Sequence, residues 1–183
     1  MINFILILAI SLKKVFDARL RFKLFIIYGF LQGISLGSLI SIAIEIDPMI
    51  PIVALSWTII VFIGFSISAF FFPRRLHMYL GSFLFMSLIF LLVVGLTDMF
   101  WCPVLFNYQI QVYFGLVVFC LFIVYDTQYM IHKIKTNSID PVTHALDIFQ
   151  DFISIFIRIL LILMDKEKSS KKKKNKEAVR DEL

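Results

Sequence analysis

A chain of 183 residues that is 60% hydrophobic, carries 21 phenylalanines and has a mean hydropathy of +0.91 cannot hide its apolar surface in one small water-soluble core. It is expected to live in a membrane. The net charge of +5 does not point to nucleic acid, because the lysines and arginines sit in short connections and a tail, with no aromatic-interleaved basic face.

Crossing about 30 Å of hydrocarbon takes roughly 20 residues of helix, and an open strand would leave backbone groups unpaired in lipid. Residues 1–12 are apolar but too short to cross. They have no basic residue ahead of them and no small-residue cleavage site behind, which argues against a cleaved signal peptide. Segments 24–44, 49–72, 78–97 and 110–131 are each long enough. Within the first, Gly29, Gly33 and Gly37 recur every four residues with Ser41 continuing the row, the small-residue ridge that lets helices approach closely. Trp57, Tyr79, Trp101, Tyr108 and Tyr113 fall near the predicted interfaces, as amphipathic rings do. A further segment, 145–164, carries Asp147, Asp151 and Arg158 and is the least lipid-like of the set. Pro48, Pro51, Pro73, Pro103 and Pro141 all lie near connections. The expected fold is an all-α polytopic transmembrane bundle over residues 1–164. It has about six apolar segments, the last re-entrant or shielded by protein, and residues 165–183 form a basic, disordered tail. Cys102 in a connection and Cys120 in an apolar run are expected to be free.

Loop charge sets the orientation. Lys13, Lys14, Arg19, Arg21 and Lys23 crowd the first connection, Arg74 and Arg75 the third, Lys133 and Lys135 the fifth; the second carries Glu45 and Asp47 and the fourth only Asp98. Loops one, three and five are therefore expected in the cytosol. The tail lysines Lys166, Lys168, Lys171, Lys172, Lys173, Lys174 and Lys176 ask for the cytosol too, which a sixth complete crossing would deny them. They favour a shielded last segment and a cytosolic tail, where contact with anionic lipid contributes about 1 kcal/mol per charge. The last residues, Arg180-Asp181-Glu182-Leu183, are one residue from the signal that lumenal receptors read, and the lysines are the stronger topological cue.

Two aspartates carry the functional expectation. An ionised carboxylate at bilayer depth costs on the order of 2.5–3.5 kcal/mol on insertion scales, so such a residue is a functional-site candidate by default. Asp126 and Asp151 are equidistant in sequence from the polar turn around Thr136-Asn137-Ser138, so two helical arms place them at one depth. Asp126 lies seven residues before Lys133, about 10 Å from the cytosolic edge. On the second arm Asp147, Asp151, Ser154 and Arg158 recur on one helix face, and that polar stripe must look into protein or water. Facing carboxylates compete for one proton, which makes a latch that pH can set; when both ionise, their oxygens become transient ligands for a hard cation such as Ca²⁺. The plainer alternative is a pair kept only to hydrogen-bond helix to helix.

At these residues the chain resembles the Bax inhibitor family, also called the transmembrane Bax inhibitor motif family. The blocks that carry the likeness run from about residue 24 to 174: Tyr28-Gly29 through Leu31-x-Gly33-x-x-Leu36-Gly37, Asp47-Pro48, Phe72-Pro73-Arg74-Arg75, and Tyr113-x-Gly115-Leu116-Val117-Val118. The two most specific are Tyr125-Asp126-Thr127-Gln128 and His144-Ala145-Leu146-Asp147-Ile148-Phe149-x-Asp151-Phe152-Ile153. The lysine-rich end is similar to that of the endoplasmic-reticulum branch. The resemblance implies a multi-pass protein of the endoplasmic-reticulum membrane, with Asp126 and Asp151 as a pH-responsive pair over a Ca²⁺-conducting path, that opposes cell death and lowers stored calcium. It also implies an arginine partner for the pair, which the matching blocks do not place; Arg158 is on the correct face. Relative to the family pattern the chain is expected to open inside the second helix, with the first absent.

Two other functions compete with this one, the first through the same carboxylates. A proton-coupled exchanger would need two alternately open states, and no inverted repeat is legible. A non-conducting scaffold would bind Bcl-2-family death regulators or anionic lipids through the lysine tail. His77, His132 and His144 lack ligand spacing, and no nucleophile–base set, phosphate loop or HExxH motif is present. No enzyme and no resident cofactor are expected, with Ca²⁺ only as the conducted ion.

Overall fold

The computed structural model describes residues 7, 10, 17–71, 76–100, 108–136 and 140–181. Five helices follow in order: α1 Ala18–Ile46, α2 Ile50–Ser68, α3 Leu76–Phe100, α4 Tyr108–Lys135 and α5 Pro141–Asp181. Spans within the first four, Arg19–Ile46, Ile50–Ser68, Tyr79–Thr97 and Tyr108–Lys135, are long and apolar enough to cross a membrane. The fold is the all-helical, multi-pass membrane architecture that the hydropathy requires. Most of the 1–12 segment, the Pro73-Arg74-Arg75 and Cys102-Pro103 connections, Asn137-Ser138 and Glu182-Leu183 lie outside the described residues.

Local chemistry sets the breaks. Asp47 precedes a proline, a position that disfavours helix; it is extended, with φ −161 and ψ 124, and its Oδ1 accepts the Met49 N–H at 2.8 Å. Pro51 then falls in the first turn of α2, where its missing N–H has no helical partner to lose. Asp140 and Pro141 repeat the device before α5. From residue 142 onward there is neither proline nor glycine, so nothing stops the helix for 41 residues.

That continuity corrects one expectation. The lysine run read as a disordered tail is helical as far as Asp181, because Lys, Glu and Ala are good helix formers and they extend a helix already nucleated in the bundle.

The helix poorest in apolar residues is the one most enclosed. α5 packs against α1, α2 and α4, while α3 packs against α4. Phe25 and Tyr28 of α1 meet Phe149 edge-on at 5.9 and 6.1 Å, and the Tyr28 hydroxyl donates to Gln150 Oε1. Phe62 of α2 meets Phe152 at 5.6 Å, and below them Ala54, Cys120, Ile155, Phe156 and Leu160 form the main core. The outer helices turn Phe30, Ile60, Phe85 and Met86 outward, each at least 60% exposed, as a surface solvated by lipid tails demands. Segment 145–164 is therefore shielded by three neighbours and continuous; it does not turn back on itself.

The glycine ridge behaves otherwise than expected. A Cβ at Gly29, Gly33 or Gly37 would meet nothing within 4 Å: the row faces away from every described helix, and spacing alone cannot supply a partner. Close approaches occur instead at Gly81, against the Tyr125 ring, and at Gly115, against Arg158.

α4 and α5 stay antiparallel along their shared length. Tyr129 lies beside His144, Gly115 beside Arg158, and Gln109 and Tyr113 share a pocket with Asp165 and Ser169. The Lys171 ammonium donates to the Ile46 carbonyl, and Asp47 and Met49 border Lys166 and Glu167. The lysine helix thus leaves at the end that holds the α1–α2 connection, opposite the α4–α5 turn. The loop charges ask for tail and fifth loop on one side of the membrane, whereas the unbroken helix sets them at opposite ends of the bundle. Glycosylation acceptors engineered near Asn175 and in the α4–α5 turn should give opposite outcomes in microsomes. Modification of both, or of neither, would contradict the arrangement.

Candidate functional site

The turn after Lys135 brings the two aspartates of α4 and α5 to one level, as their equal distance from it requires. Asp151 is 5% exposed, Asp126 is half-buried, and their carboxyl groups lie within interaction range of each other. An ionised carboxylate only accepts, so two facing carboxyl groups can hydrogen-bond only when one of them carries a proton. Asp147, one turn nearer the fifth loop, is half-buried and within electrostatic reach of both aspartates, of Lys133 and of Asp140. Ser154 lies on the same face below the pair, half-buried.

Arg158 shares that face but not that depth. Seven residues beyond Asp151, it stands about 10 Å further along the helix. Its guanidinium sits 4.8 Å over the Phe119 ring, packed on Gly115, and its buried Nε has no hydrogen-bond partner among the described residues. Its electrostatic neighbour is Tyr108. The sequence-based candidate for the aspartates' partner is thus not brought to them.

Aromatic rings border the approach from the fifth loop. Tyr125 and Tyr129 stack at 6.0 Å with 7° between planes, His144 meets Tyr129 edge-on at 5.9 Å, and the Lys133 ammonium lies 4.2 Å over the Tyr129 ring. His144, set aside in the sequence for want of ligand spacing, is buried here at 6% exposure.

One residue escaped sequence reasoning altogether. Arg21, counted only as a loop charge, is 4% exposed and pairs with Asp140 at 2.7 Å. The partners are 119 residues apart, so no local spacing could have announced them.

Among the described residues no group of three or more His, Cys, Asp or Glu side chains could hold a metal ion. Ca²⁺ takes six to eight oxygens, more than two carboxylates supply.

These blocks can now be set beside known proteins. The chain matches the family model described as Inhibitor of apoptosis-promoting Bax1 over residues 1–168. It belongs to that family. Bax inhibitor 1 of Bos taurus is 35% identical over 147 residues, covering 80% of this chain and 62% of that protein. Bax inhibitor 1 of Arabidopsis thaliana is 35% identical over 149 residues, or 81% and 60%, and that of Oryza sativa subsp. japonica 35% over 164 residues, or 88% and 66%. The chain thus spans about six-tenths of the length of the mammalian and Arabidopsis relatives it matches. No solved structure matches it. Membership in a Bax inhibitor family and the four apolar spans make this a multi-pass membrane protein of an apoptosis-inhibitor family.

Proposed function

We propose that this protein is a Ca²⁺ leak channel of the endoplasmic-reticulum membrane, gated by pH through Asp126 and Asp151, that restrains cell death by lowering stored calcium. The function is transport, not catalysis. The observation that supports it best is the close approach of two carboxyl groups, one from α4 and one from α5, in the interior of a bundle whose outer faces are apolar. With one proton shared, the two helices are held together. When it leaves, two like charges face each other in a low-dielectric interior, repel, and offer oxygens to a divalent cation. Leak is therefore favoured as pH rises through the titration of the shared proton and suppressed below it. Loops one, three and five face the cytosol in this reading, which sets the pair near the cytosolic side.

Lys171, Lys172, Lys173 and Lys174 are all exposed and suit contact with anionic headgroups. This favours a second reading, a scaffold that holds Bcl-2-family regulators through the lysine helix. It requires that end of the bundle to face the cytosol, so the paired glycosylation test bears on it directly. Calcium flux in proteoliposomes of the full chain, measured across pH, tests the leak. A pH-dependent flux supports the channel, and a chain that carries none at any pH favours the scaffold.

A further inference from the structure

The polar face of α5 does not open freely at the fifth loop. Asp140, His144, Asp147 and Asp151 follow one another at i, i+4, i+7 and i+11, a single line along the helix. At the head of that line Asp140 is already engaged. Arg21 Nη2 donates to Asp140 Oδ2 and to Thr143 Oγ1, both at 2.7 Å. The Thr143 hydroxyl in turn donates to Asp140 Oδ2 at 2.7 Å, which closes a triangle. Arg21 Nε donates to the Ile10 carbonyl at 2.6 Å, so the guanidinium is fixed from both sides. With Arg21 at 4% and Asp140 at 6% exposure, the contact is covered, not a surface ion pair.

Its position has two consequences for a cation on this line. The contact ties the first turn of α1 to the first turn of α5, across the end of the polar row. It also neutralises the row's outermost carboxylate and plants a guanidinium beside it, so an arriving cation meets no unpaired negative charge before Asp147. Parted, Asp140 would become a third carboxylate and the acidic line would be continuous from the fifth loop to Asp151.

We propose that the Arg21–Asp140–Thr143 triangle is the gate at the fifth-loop end of the ion path. This deepens the leak reading and rests on it. In the path, Arg21 is a positioning residue that acts through Asp140 and does not ligate the ion.

The test is built so that gate and leak can fail separately. The full chain carries Asp151→Cys as a reporter, with Cys102→Ser and Cys120→Ser removing the native thiols. It is placed in membranes with the fifth-loop face outward and treated with a positively charged methanethiosulfonate. Arg21→Gln/Asp140→Asn removes both charges together, which avoids stranding one of them buried, and should raise the labelling rate roughly tenfold. The swapped pair Arg21→Asp/Asp140→Arg should bring it back down. If the neutral double variant does not fold, Thr143→Val breaks one side of the triangle without touching a charge and should give a smaller rise. An unchanged labelling rate in the folded variants overturns the gate, whatever calcium flux does. Faster labelling supports it as a barrier to cations, and a protein with Asp151 intact that carries no calcium flux at any pH, with or without the gate substitutions, overturns the leak reading separately.

Discussion

Asp151→Asn should hold the leak at its acid-pH level where the unsubstituted protein conducts, abolishing the rise of roughly tenfold per pH unit expected on the acid side of the titration of the shared proton. The amide has the size of the carboxyl and donates a hydrogen bond, so it reproduces the protonated half of the pair and cannot lose that proton. Asp126→Asn should do the same from the other helix. The double variant should be no worse than either single one, because one shared proton cannot be removed twice, and non-additivity is what residues acting as a unit display. Proteoliposome flux against pH for the four proteins gives the cycle. Additive effects, or single variants that keep the original pH profile, would mean that the pair only packs α4 against α5.

Gly115→Leu should destabilise the fold by about 2 kcal/mol through overpacking. A Cβ at this position collides with the Arg158 guanidinium, which rests on Phe119 between α4 and α5. The side chain is flexible enough to move, but its charge has to find another seat inside a bundle surrounded by lipid, and a displaced buried cation is costly. Arg158→Ala in the Gly115→Leu background should recover most of the loss by vacating the space. Thermal unfolding of the three proteins in detergent measures both effects. Should Arg158→Ala deepen the loss in place of relieving it, the collision is not the cause.

The spans and the aspartate pair were legible for the same reason: each has one physical solution. A run of about 20 apolar residues in lipid has to be a helix, and two residues equidistant from a turn have to meet if both arms are helical. Helical periodicity puts Asp147, Ser154 and Arg158 on one helix face. Periodicity gives angle and not depth, however, and Arg158 lies too far along the helix to reach the pair. Gly29, Gly33 and Gly37 show the same limit, since small-residue spacing says that a helix can be approached without saying that anything approaches it.

The tail failed differently. Its composition reads as disorder in isolation, but it continues a helix that packing has already started, and that continuation carries the lysines to the end of the bundle opposite the fifth loop. Arg21 and Asp140 could not be paired from sequence at all. One looked like a loop charge and the other like part of an Asp-Pro turn, and only the packing of α1 against α5 brings them together.

Infrared titration of the reconstituted protein reads out whether Asp126 and Asp151 share one proton across the α4–α5 contact. A protonated carboxylic acid has a carbonyl band that a carboxylate lacks. One such band is expected at pH values where the leak is low, lost as the leak rises, and absent at all those pH values in Asp151→Asn and in Asp126→Asn alike. A band that survives both substitutions, or a fully ionised pair while the leak is closed, would contradict it.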